Sequence, residues 1–247
     1  MRAVICEKFS SYKDLRLEDV AAPELRPGCV RIEVHFASVS YAISLMVAGK
    51  YQRKMALPFI PGTEVSGYVL ECGEEVSEFQ PGDPVAAILD SGAFGEEVVV
   101  DPATVYRVPE GVPLVQAVAI PLSFGTAATA LARGGVAPGK TVLVTGAAGA
   151  LGLAAVQVAR LRGATVIAAA SSQPKLEAAL AAGATHAIDY STDNFIDSVK
   201  SLTGGKGADL VFDPVGGELF EQLIRCTAIE GSMLSLGFAS GDIPSVP

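Results

Sequence analysis

The pattern of hydrophobic and polar positions changes near residue 113. Before this point, short runs of alternating apolar and polar residues are separated by proline and glycine. These runs are Val30–Phe36, Gly67–Cys72, Pro84–Leu89 and Gly95–Val100. Turn signals such as Arg26-Pro-Gly28 stand between them. The pattern predicts a small, mostly antiparallel β-barrel or sandwich over residues 1–113.

Beyond residue 113, apolar strand-like runs alternate with helical runs. The predicted helices are Leu114–Arg133, Ala150–Arg162, Pro174–Ala182, Phe195–Leu202 and Glu218–Thr227. The predicted strands are Thr141–Val144, Thr165–Ala170, Ala187–Asp189, Asp209–Phe212 and Ser232–Leu236. This alternation is typical of a doubly wound parallel sheet. We therefore predict an α/β domain over residues 114–247, with about five strands where the full dinucleotide-binding fold has about six.

Three glycines follow the first strand of this domain. Gly146, Gly149 and Gly152 stand between the apolar run Thr141–Val144 and the alanine-rich helical run Ala150–Leu161. Such glycines let the backbone approach an anion, and the unpaired N–H groups at the helix start point toward it. The segment predicts a pyrophosphate site and hence dinucleotide binding. The alternative is a tight turn with close helix–sheet packing and no ligand.

A second glycine segment competes with this interpretation. Residues Gly134–Thr141 match the letters of the GxxxxGK[ST] phosphate loop. That loop requires a strand before it and a helix after it. Here a helix precedes and a strand follows, so Pro138-Gly139 is better interpreted as the turn that starts the strand.

The end of the second strand bears on which dinucleotide binds. NAD-binding proteins usually place an Asp or Glu there. This chain has Ser171, Ser172 and Lys175, and its first acid is Glu177 inside the next helix. Hydroxyls and a lysine suit the 2′-phosphate of NADP. A plain helix N-cap for Ser172, a solvated Lys175, and NAD as the cofactor are the alternatives.

Composition limits the class of protein. The chain has 247 residues, 50% of them hydrophobic, and a formal net charge of −9 at pH 7. This charge argues against a nucleic-acid partner. We expect no apolar run of the length needed to span a bilayer, and Met1–Cys6 has no signal-peptide layout. Cys6, Cys29, Cys72 and Cys226 lack CxxC spacing, so reduced thiols in a cytoplasmic protein are favoured over disulfides.

Longer stretches resemble one known family from end to end. They are Ala48-Gly-Lys-Tyr51, Leu57-Pro-Phe-Ile-Pro-Gly-Thr-Glu64-Val-Ser-Gly67, Gln80-Pro-Gly-Asp83, Ser123-Phe-Gly-Thr126-Ala127, Val144-Thr-Gly-Ala-Ala-Gly149 and Gly183-Ala-x-x-x-Ile188-Asp-Tyr190. In this order they resemble the zinc-free quinone oxidoreductase branch of the medium-chain dehydrogenase/reductase superfamily. The resemblance implies a GroES-like β-barrel catalytic domain at 1–113, a Rossmann doubly wound sheet at 114–247, and NADPH as the cofactor.

The resemblance also assigns positions around NADPH. Tyr51 would touch the cofactor, and Thr126 would lie near the nicotinamide. The remaining positions would be Ala148, Gly149, Ala150, Leu151 and Gly152 at the pyrophosphate, Ser171, Ser172, Lys175 and Tyr190 at the 2′-phosphate, and Val215, Leu236, Gly237 and Phe238 at the strand ends. For Tyr51 the alternative is half-buried packing. For Val215 and Leu236 packing is as well supported as contact.

The sequence argues against a zinc site. Zinc-dependent relatives carry Cys, and His within a Gly-His-Glu element, whereas this chain reads Gly62-Thr63-Glu64. The segment Ala37–Tyr41 has no Cys, and no group of four Cys supplies a structural lobe. His35 and His186 are more simply packing or surface residues. We therefore expect no metal, and hydride delivery to a quinone or α,β-unsaturated carbonyl rather than alcohol oxidation.

The sequence offers several candidates for the proton donor. No acid/base pair stands out, so Tyr41, Tyr51 or water would supply the proton. Many family members carry Asn and Asp, three apart, where this chain has Ser40 and Ile43. Ser40 can still form a hydrogen bond, but Ile43 cannot.

The chain also departs from the family at its end. The resemblance leads us to expect that the last Rossmann strand, the C-terminal helices and part of a homodimer edge are missing after Pro247. The alternative function is therefore a truncated NADPH-binding protein with weak or no activity. A short-chain dehydrogenase is a third hypothesis, which we discount because no tyrosine has lysine at the Tyr-x-x-x-Lys spacing.

Overall fold

A computed structural model describes residues 1–191 and 194–245 of the chain, so the chain end at Pro247 lies outside the described residues. The chain forms two compact units, Met1–Leu122 and Ser123–Pro247. This division falls after the predicted boundary at 113/114. The intervening residues are tied to the first unit because Ser66 Oγ donates to the Leu114 carbonyl at 2.7 Å, and the Leu122 N–H donates to Glu64 at 2.9 Å.

Antiparallel strands build the first unit. They are β1 (Arg2–Ile5), β2 (Arg16–Asp19), β3 (Val30–Ala37), β4 (Glu64–Cys72), β5 (Pro84–Ile88), β6 (Glu97–Val100) and β7 (Val105–Arg107). β1 pairs with β2, and the other five form a sheet in the order β6-β3-β4-β5-β7. This agrees with the predicted antiparallel architecture.

The core of the first unit follows from strand periodicity. Val30 and Ile32 are fully buried on one face of β3, where alternate side chains point the same way. Val65 and Val85 pack against them from the neighbouring strands. The unit also contains helix α1 (Tyr41–Val47), helix α2 (Leu114–Ala117) and two single 3₁₀ turns, at Tyr12–Asp14 and Pro102–Thr104.

The predicted helix Leu114–Arg133 is interrupted. It consists of α2, a π-helical turn at Ile120–Phe124 and helix α3 (Gly125–Arg133). Pro121 has no N–H to donate, so a regular α-helical hydrogen-bond ladder cannot run through it. The stretch Leu114–Arg133 is nevertheless long and apolar enough to cross a bilayer by length and composition alone. This corrects the expectation that no run has that length, although apolar helices of water-soluble proteins meet the same criterion.

The second unit has a parallel sheet, as predicted. Its strands are β8 (Thr141–Val144), β9 (Thr165–Ala170), β10 (His186–Asp189), β11 (Ala208–Asp213) and β12 (Thr227–Ser235), in the order β10-β9-β8-β11-β12. The connecting helices are α4 (Ala150–Leu161), α5 (Gln173–Ala181), α6 (Phe195–Leu202) and α7 (Leu219–Cys226). All of these pairings are parallel.

Helices cover both faces of this sheet. Val142 and Val144 of β8 belong to one buried cluster with residues of α3 and α4. Leu143, between them, belongs to the opposite cluster with Phe195 of α6 and Leu223 of α7. Because successive strand residues point to opposite faces, the apolar run of β8 is buried on both sides. This is the doubly wound arrangement that the alternation predicts.

The strand order places a topological switch point between β8 and β11. From β8 the chain runs outward through β9 to β10, then returns to β11 on the other side of β8. Connections leave the two strands in opposite directions, which opens a crevice at their carboxyl ends. Ligands of open α/β sheets bind at such crevices.

Candidate functional site

The glycine turn lies at the carboxyl end of β8. Gly146 has φ +53°, a left-handed conformation that favours glycine. A Cβ at Gly152 would lie 2.2 Å from the Gly146 carbonyl oxygen, so the first turn of α4 can approach the loop only without a side chain there. Gly149 is the N-cap of α4, and both Gly149 and Ala150 are exposed.

This turn has the chemistry of an anion site. The first N–H groups of an α-helix have no intrahelical partner, and the helix dipole adds positive potential at that end. In α4 those groups belong to Ala150, Leu151 and Gly152, directly after the exposed Gly149. Ala148 completes the loop and is half-buried. The residues therefore fit a pyrophosphate, which needs closely placed backbone donors.

The competing phosphate-loop segment has a different geometry. Gly139 has φ +83°, and the Lys140 N–H closes a turn on the Ala137 carbonyl. Strand β8 then begins at Thr141, so no helix start follows the loop. Lys140 Nζ pairs with Asp209 at 3.1 Å. The Thr141 N–H and then the Lys140 ammonium hold the pKa of Asp209 below its usual range.

The residues predicted for the 2′-phosphate surround the end of β9. Ser171 follows β9, and Lys175 Nζ donates to its Oγ at 3.1 Å. Ser172 is the N-cap of α5, but its side chain makes no capping hydrogen bond. The Tyr190 N–H donates to the Ala170 carbonyl at 3.2 Å, which brings the end of β10 beside Ser171. The structure thus groups all four predicted residues.

The loops after β11 and β12 meet the glycine turn and each other. A Cβ at Gly146 would lie 3.0 Å from Val215 Cγ2. The Leu236 N–H donates to the Asp213 carbonyl at 2.9 Å, and a Cβ at Gly216 would lie 2.9 Å from the Phe238 ring. A Cβ at Gly237 would lie 3.1 Å from the Pro214 carbonyl oxygen. Val215 and Leu236–Phe238 therefore share the carboxyl edge of the sheet with Gly146.

The other predicted residues lie elsewhere along the chain. Thr126 is the second residue of α3 and is half-buried. Tyr41 begins α1, with 51% of its surface exposed, and its carbonyl accepts a hydrogen bond from Ser44. Tyr51 is 37% exposed, and its N–H donates to the Leu45 carbonyl. Thr126 belongs to the second unit, whereas both tyrosines belong to the first.

Two buried residues at the sheet edge escaped the sequence analysis. Thr145 directly follows β8, Asp213 ends β11, and neither has exposed surface. The Thr145 hydroxyl donates to Asp213 Oδ1 at 2.6 Å. The sequence did contain a sign of this pair, because the mainly apolar strand β11 ends in an aspartate at the edge of the sheet where a ligand is predicted to bind. Their pairing joins residues 68 positions apart, so no local pattern reveals it.

A buried acid in the first unit also escaped notice. Glu64, at the start of β4, is 2% exposed. Its Oε2 accepts from Ser38 Oγ at 2.5 Å, and its Oε1 accepts from the Leu122 N–H at 2.9 Å. Glu64 thereby connects the end of β3 to the segment that follows α2. The two residues of the altered family pattern lie at the start of α1. Ser40 is the N-cap, and its buried Oγ has no hydrogen-bond partner, while Ile43 within the helix packs against Cys6, Val47 and Phe59.

The donor groups among the described residues do not fit a zinc ion. In residues 1–191 and 194–245, no group of three or more His, Cys, Asp or Glu side chains is placed to hold a metal. His35 lies 3.0 Å from Glu33 and contacts the Tyr68 ring edge-on, while His186 lies in β10 of the other unit. Thr63 offers only a hydroxyl beside the buried Glu64. Zinc sites need three or four N, S or O ligands that converge on one point.

Two family models match the chain. The alcohol dehydrogenase GroES-like domain matches residues 26–110, and the zinc-binding dehydrogenase model matches residues 150–247. Among curated proteins, quinone oxidoreductase-like protein 2 of Rattus norvegicus is 42% identical over 248 residues, which cover 100% of this chain and 70% of that protein. The synaptic vesicle membrane protein VAT-1 homolog of Homo sapiens is 34% identical, over 97% of this chain and 62% of that protein.

Solved structures share the fold. The quinone oxidoreductase of Pseudomonas syringae pv. Tomato has a TM-score of 0.93 and 30% identity, covering 100% of this chain and 76% of that one. The Escherichia coli quinone oxidoreductase, solved with NADPH, has a TM-score of 0.94 and 26% identity over the same shares. These matches confirm the predicted GroES-like and Rossmann architecture. The chain belongs to the quinone oxidoreductase family of the medium-chain dehydrogenase/reductase superfamily.

Proposed function

We propose that this oxidoreductase uses NADPH to reduce quinones or α,β-unsaturated carbonyls by direct hydride transfer, without zinc. The glycine turn between β8 and α4 carries the proposal. Gly146 and Gly152 bring the start of α4 against the strand end, and the exposed Gly149 leaves the helix N–H groups open to a pyrophosphate. When bound, NADPH supplies the hydride.

A preference for NADPH over NADH is supported by the end of β9. An NAD site would place a carboxylate there to accept the ribose hydroxyls. In this chain Ser171 and Lys175 already form a hydrogen-bonded pair, and the Ser172 hydroxyl makes no capping bond. Hydroxyl and ammonium donors stabilise a phosphate dianion. Relatives support the same cofactor, because the Escherichia coli and Thermus thermophilus quinone oxidoreductases have been solved with NADPH.

Catalysis without zinc is supported by the acceptor chemistry. A quinone or an enone is electrophilic and accepts hydride when the reacting carbons are held close and aligned. The contribution of the protein is then to bind, orient and exclude water. Thr126 is the residue that we propose to lie near the nicotinamide, and Val215 is proposed to line the cofactor site at the strand ends.

The proton source is proposed to be a tyrosine hydroxyl or solvent. Tyr41 and Tyr51 both expose a large part of their side chains in the first unit. A phenol hydroxyl can donate a proton to a developing enolate. A reduced quinone does not require a proton donor from the protein, because water can protonate its oxygens.

Stopped-flow absorbance tests the proposal directly. NADPH oxidation is followed with 1,2-naphthoquinone and, separately, with a simple enone, and NADH is used in parallel. We expect turnover with at least one acceptor and faster oxidation of NADPH than of NADH. Tight NADPH binding without turnover of any quinone or enone would instead support the alternative, an NADPH-binding protein with weak or no activity.

The remaining proposals concern assembly and location. By its family we propose a small-molecule substrate, a cytoplasmic location and a homodimer. Sedimentation velocity with and without NADPH measures the assembly. A monomer at all concentrations would contradict the homodimer.

A further inference from the structure

Asp213 connects three segments that carry predicted cofactor residues. Its side chain accepts the Thr145 hydroxyl at 2.6 Å, the Val215 N–H at 3.0 Å and the Gly216 N–H at 3.2 Å. Its backbone carbonyl accepts the Leu236 N–H at 2.9 Å. One fully buried residue therefore bonds to the residue before Gly146, to Val215 and to Leu236.

The hydrogen bond between Thr145 and Asp213 holds the residue that directly precedes the glycine turn. β8 and β11 are neighbours, with Phe212 paired to Val144, so Thr145 and Asp213 are the next residues of the same register. The Thr145 N–H also donates to the Phe212 carbonyl at 3.0 Å. Gly146 leaves the sheet immediately afterward, in a left-handed conformation. Its starting direction is thus set by a side-chain bond across the switch point.

The bonds to Val215 and Gly216 fix the loop after β11. An aspartate that accepts N–H groups two and three residues ahead holds its own chain in a tight turn. This turn places Val215 against Gly146, where a Cβ would lie 3.0 Å from Val215 Cγ2. The Ser240 N–H then donates to the Val215 carbonyl, and the Ala239 N–H to the Pro214 carbonyl, which aligns the loop after β12.

We propose that Asp213, through Thr145, is a positioning residue for the dinucleotide. This rests on the proposed function, since it concerns the same cofactor. Asp213 sets the spacing between the glycine turn, Val215 and Leu236 without touching the cofactor, because its side chain is wholly buried and occupied by donors of this chain. Loss of the bond leaves buried donors or acceptors unpaired, which the loops relieve by moving apart.

The test compares dinucleotide affinity with thermal stability. Thr145→Val keeps the side-chain shape and removes the hydroxyl, whereas Thr145→Ser keeps the hydroxyl. Asp213→Asn replaces one of the two acceptor oxygens by an NH2 donor, although N–H or O–H groups face both oxygens. Val199→Ala, at a fully buried position of α6 in the same unit, is the matched control for lost stability. Fluorescence titration with NADPH and with NADH gives Kd, and thermal melting gives Tm.

We expect Thr145→Val and Asp213→Asn to raise Kd about tenfold for NADPH and NADH alike, because the pyrophosphate end is common to both. Thr145→Ser should stay within about twofold of wild type, and Val199→Ala should lower Tm with Kd unchanged. Wild-type Kd in both Thr145→Val and Asp213→Asn would overturn the inference. So would a Val199→Ala variant that weakens binding as much as they do.

The same titration separates this inference from the proposed function. A wild-type protein that binds both dinucleotides but reduces no acceptor overturns the proposed activity and leaves the positioning role standing. A wild-type protein that reduces quinones, while Thr145→Val and Asp213→Asn both bind NADPH with the wild-type Kd, overturns the positioning role alone. Failure of the wild type to bind either dinucleotide overturns both.

Discussion

Glu64 in the first unit and Asp213 in the second are buried acids with similar surroundings. Each accepts a hydrogen bond from one side-chain hydroxyl and from at least one backbone N–H group. Their partners differ in kind. Ser38 and Leu122 are not among the predicted cofactor residues, whereas Thr145 precedes Gly146 and Val215 contacts it. The same hydrogen-bonded unit therefore stabilises a fold in one place and, by our proposal, positions a ligand in the other.

The largest effect is expected at Glu64. Glu64→Ala leaves the Ser38 hydroxyl and the Leu122 N–H without their acceptor and opens a cavity, so the free energy of unfolding should fall by about 2–5 kcal/mol. The matched control on the same strand is Glu71→Ala, because Glu71 is exposed and lies 3.6 Å from Arg31. Its effect should be below about 1 kcal/mol.

NADPH affinity decides what the Glu64 result means. If Glu64 only holds the fold together, titration below the melting range should give the wild-type Kd in Glu64→Ala. A large rise in the Kd of Glu64→Ala for NADPH, with little loss of Tm, would mean that Glu64 also affects cofactor binding, as we propose for Asp213.

The next effect is expected at the glycine turn. Gly152→Ala puts a methyl group 2.2 Å from the Gly146 carbonyl oxygen, so the backbone must move, at a cost of about 1–3 kcal/mol. Gly149→Ala is the matched substitution three residues earlier, where the same methyl would lie 3.3 Å away. Chemical denaturation of both variants measures the difference. Equal losses would mean that the close approach of α4 is not what Gly152 supplies.

A smaller, selective effect is expected at Lys175. Lys175→Ala removes the ammonium beside Ser171, so Kd for NADPH should rise about tenfold, with Kd for NADH nearly unchanged. Lys206→Ala, at an exposed lysine of the same unit, controls for the change in net charge. This selectivity distinguishes Lys175 from Asp213, whose loss should weaken both dinucleotides. Equal weakening of NADPH and NADH by Lys175→Ala would contradict the 2′-phosphate assignment.

The smallest effect is expected at the tyrosines. Tyr41→Phe and Tyr51→Phe remove one hydroxyl each, so kcat for an enone should fall about threefold in the variant that loses the donor. Turnover of 1,2-naphthoquinone should change less. Tyr12→Phe, at another exposed tyrosine of the first unit, is the control. An unchanged enone rate in both variants would identify water as the proton source.

The parts that could be predicted from the sequence are those that the backbone encodes locally. Apolar runs predicted β8, β9, β10 and β11 closely, and the glycines after β8 marked the turn. The prediction for the last strand, Ser232–Leu236, was wrong at its start, because β12 already begins at Thr227, directly after α7. The π-helical turn around Pro121 was not predicted, because a single proline inside a strong helical pattern does not show how the helix adapts. The segment Gly134–Thr141 matches the letters of a phosphate loop, but the predicted order of helix before and strand after it is confirmed by α3 and β8.

The candidate site was predictable only in part, for a related reason. Backbone donors at a helix start follow from the glycine pattern, but Asp213 and Thr145 are joined by the fold, 68 residues apart. Glu64 belongs to the stretch Leu57–Gly67 that resembles the family, yet its hydrogen bond comes from Leu122, which is 58 residues away. Long-range side-chain bonds of this kind leave no periodic trace in a single sequence.

The central position of β8 has a consequence for how the protein is made. β8 leaves the ribosome before both of its neighbours, and β11 is the later of the two. Non-local parallel pairing must await the distant strand. The hydrogen bond from Thr145 to Asp213, which sets the direction of the chain at Gly146, can form only after Asp213 has been synthesised. The glycine turn is therefore synthesised early but reaches its final structure late. A nascent chain arrested before β11 should contain the whole glycine motif and still be unable to retain a nucleotide.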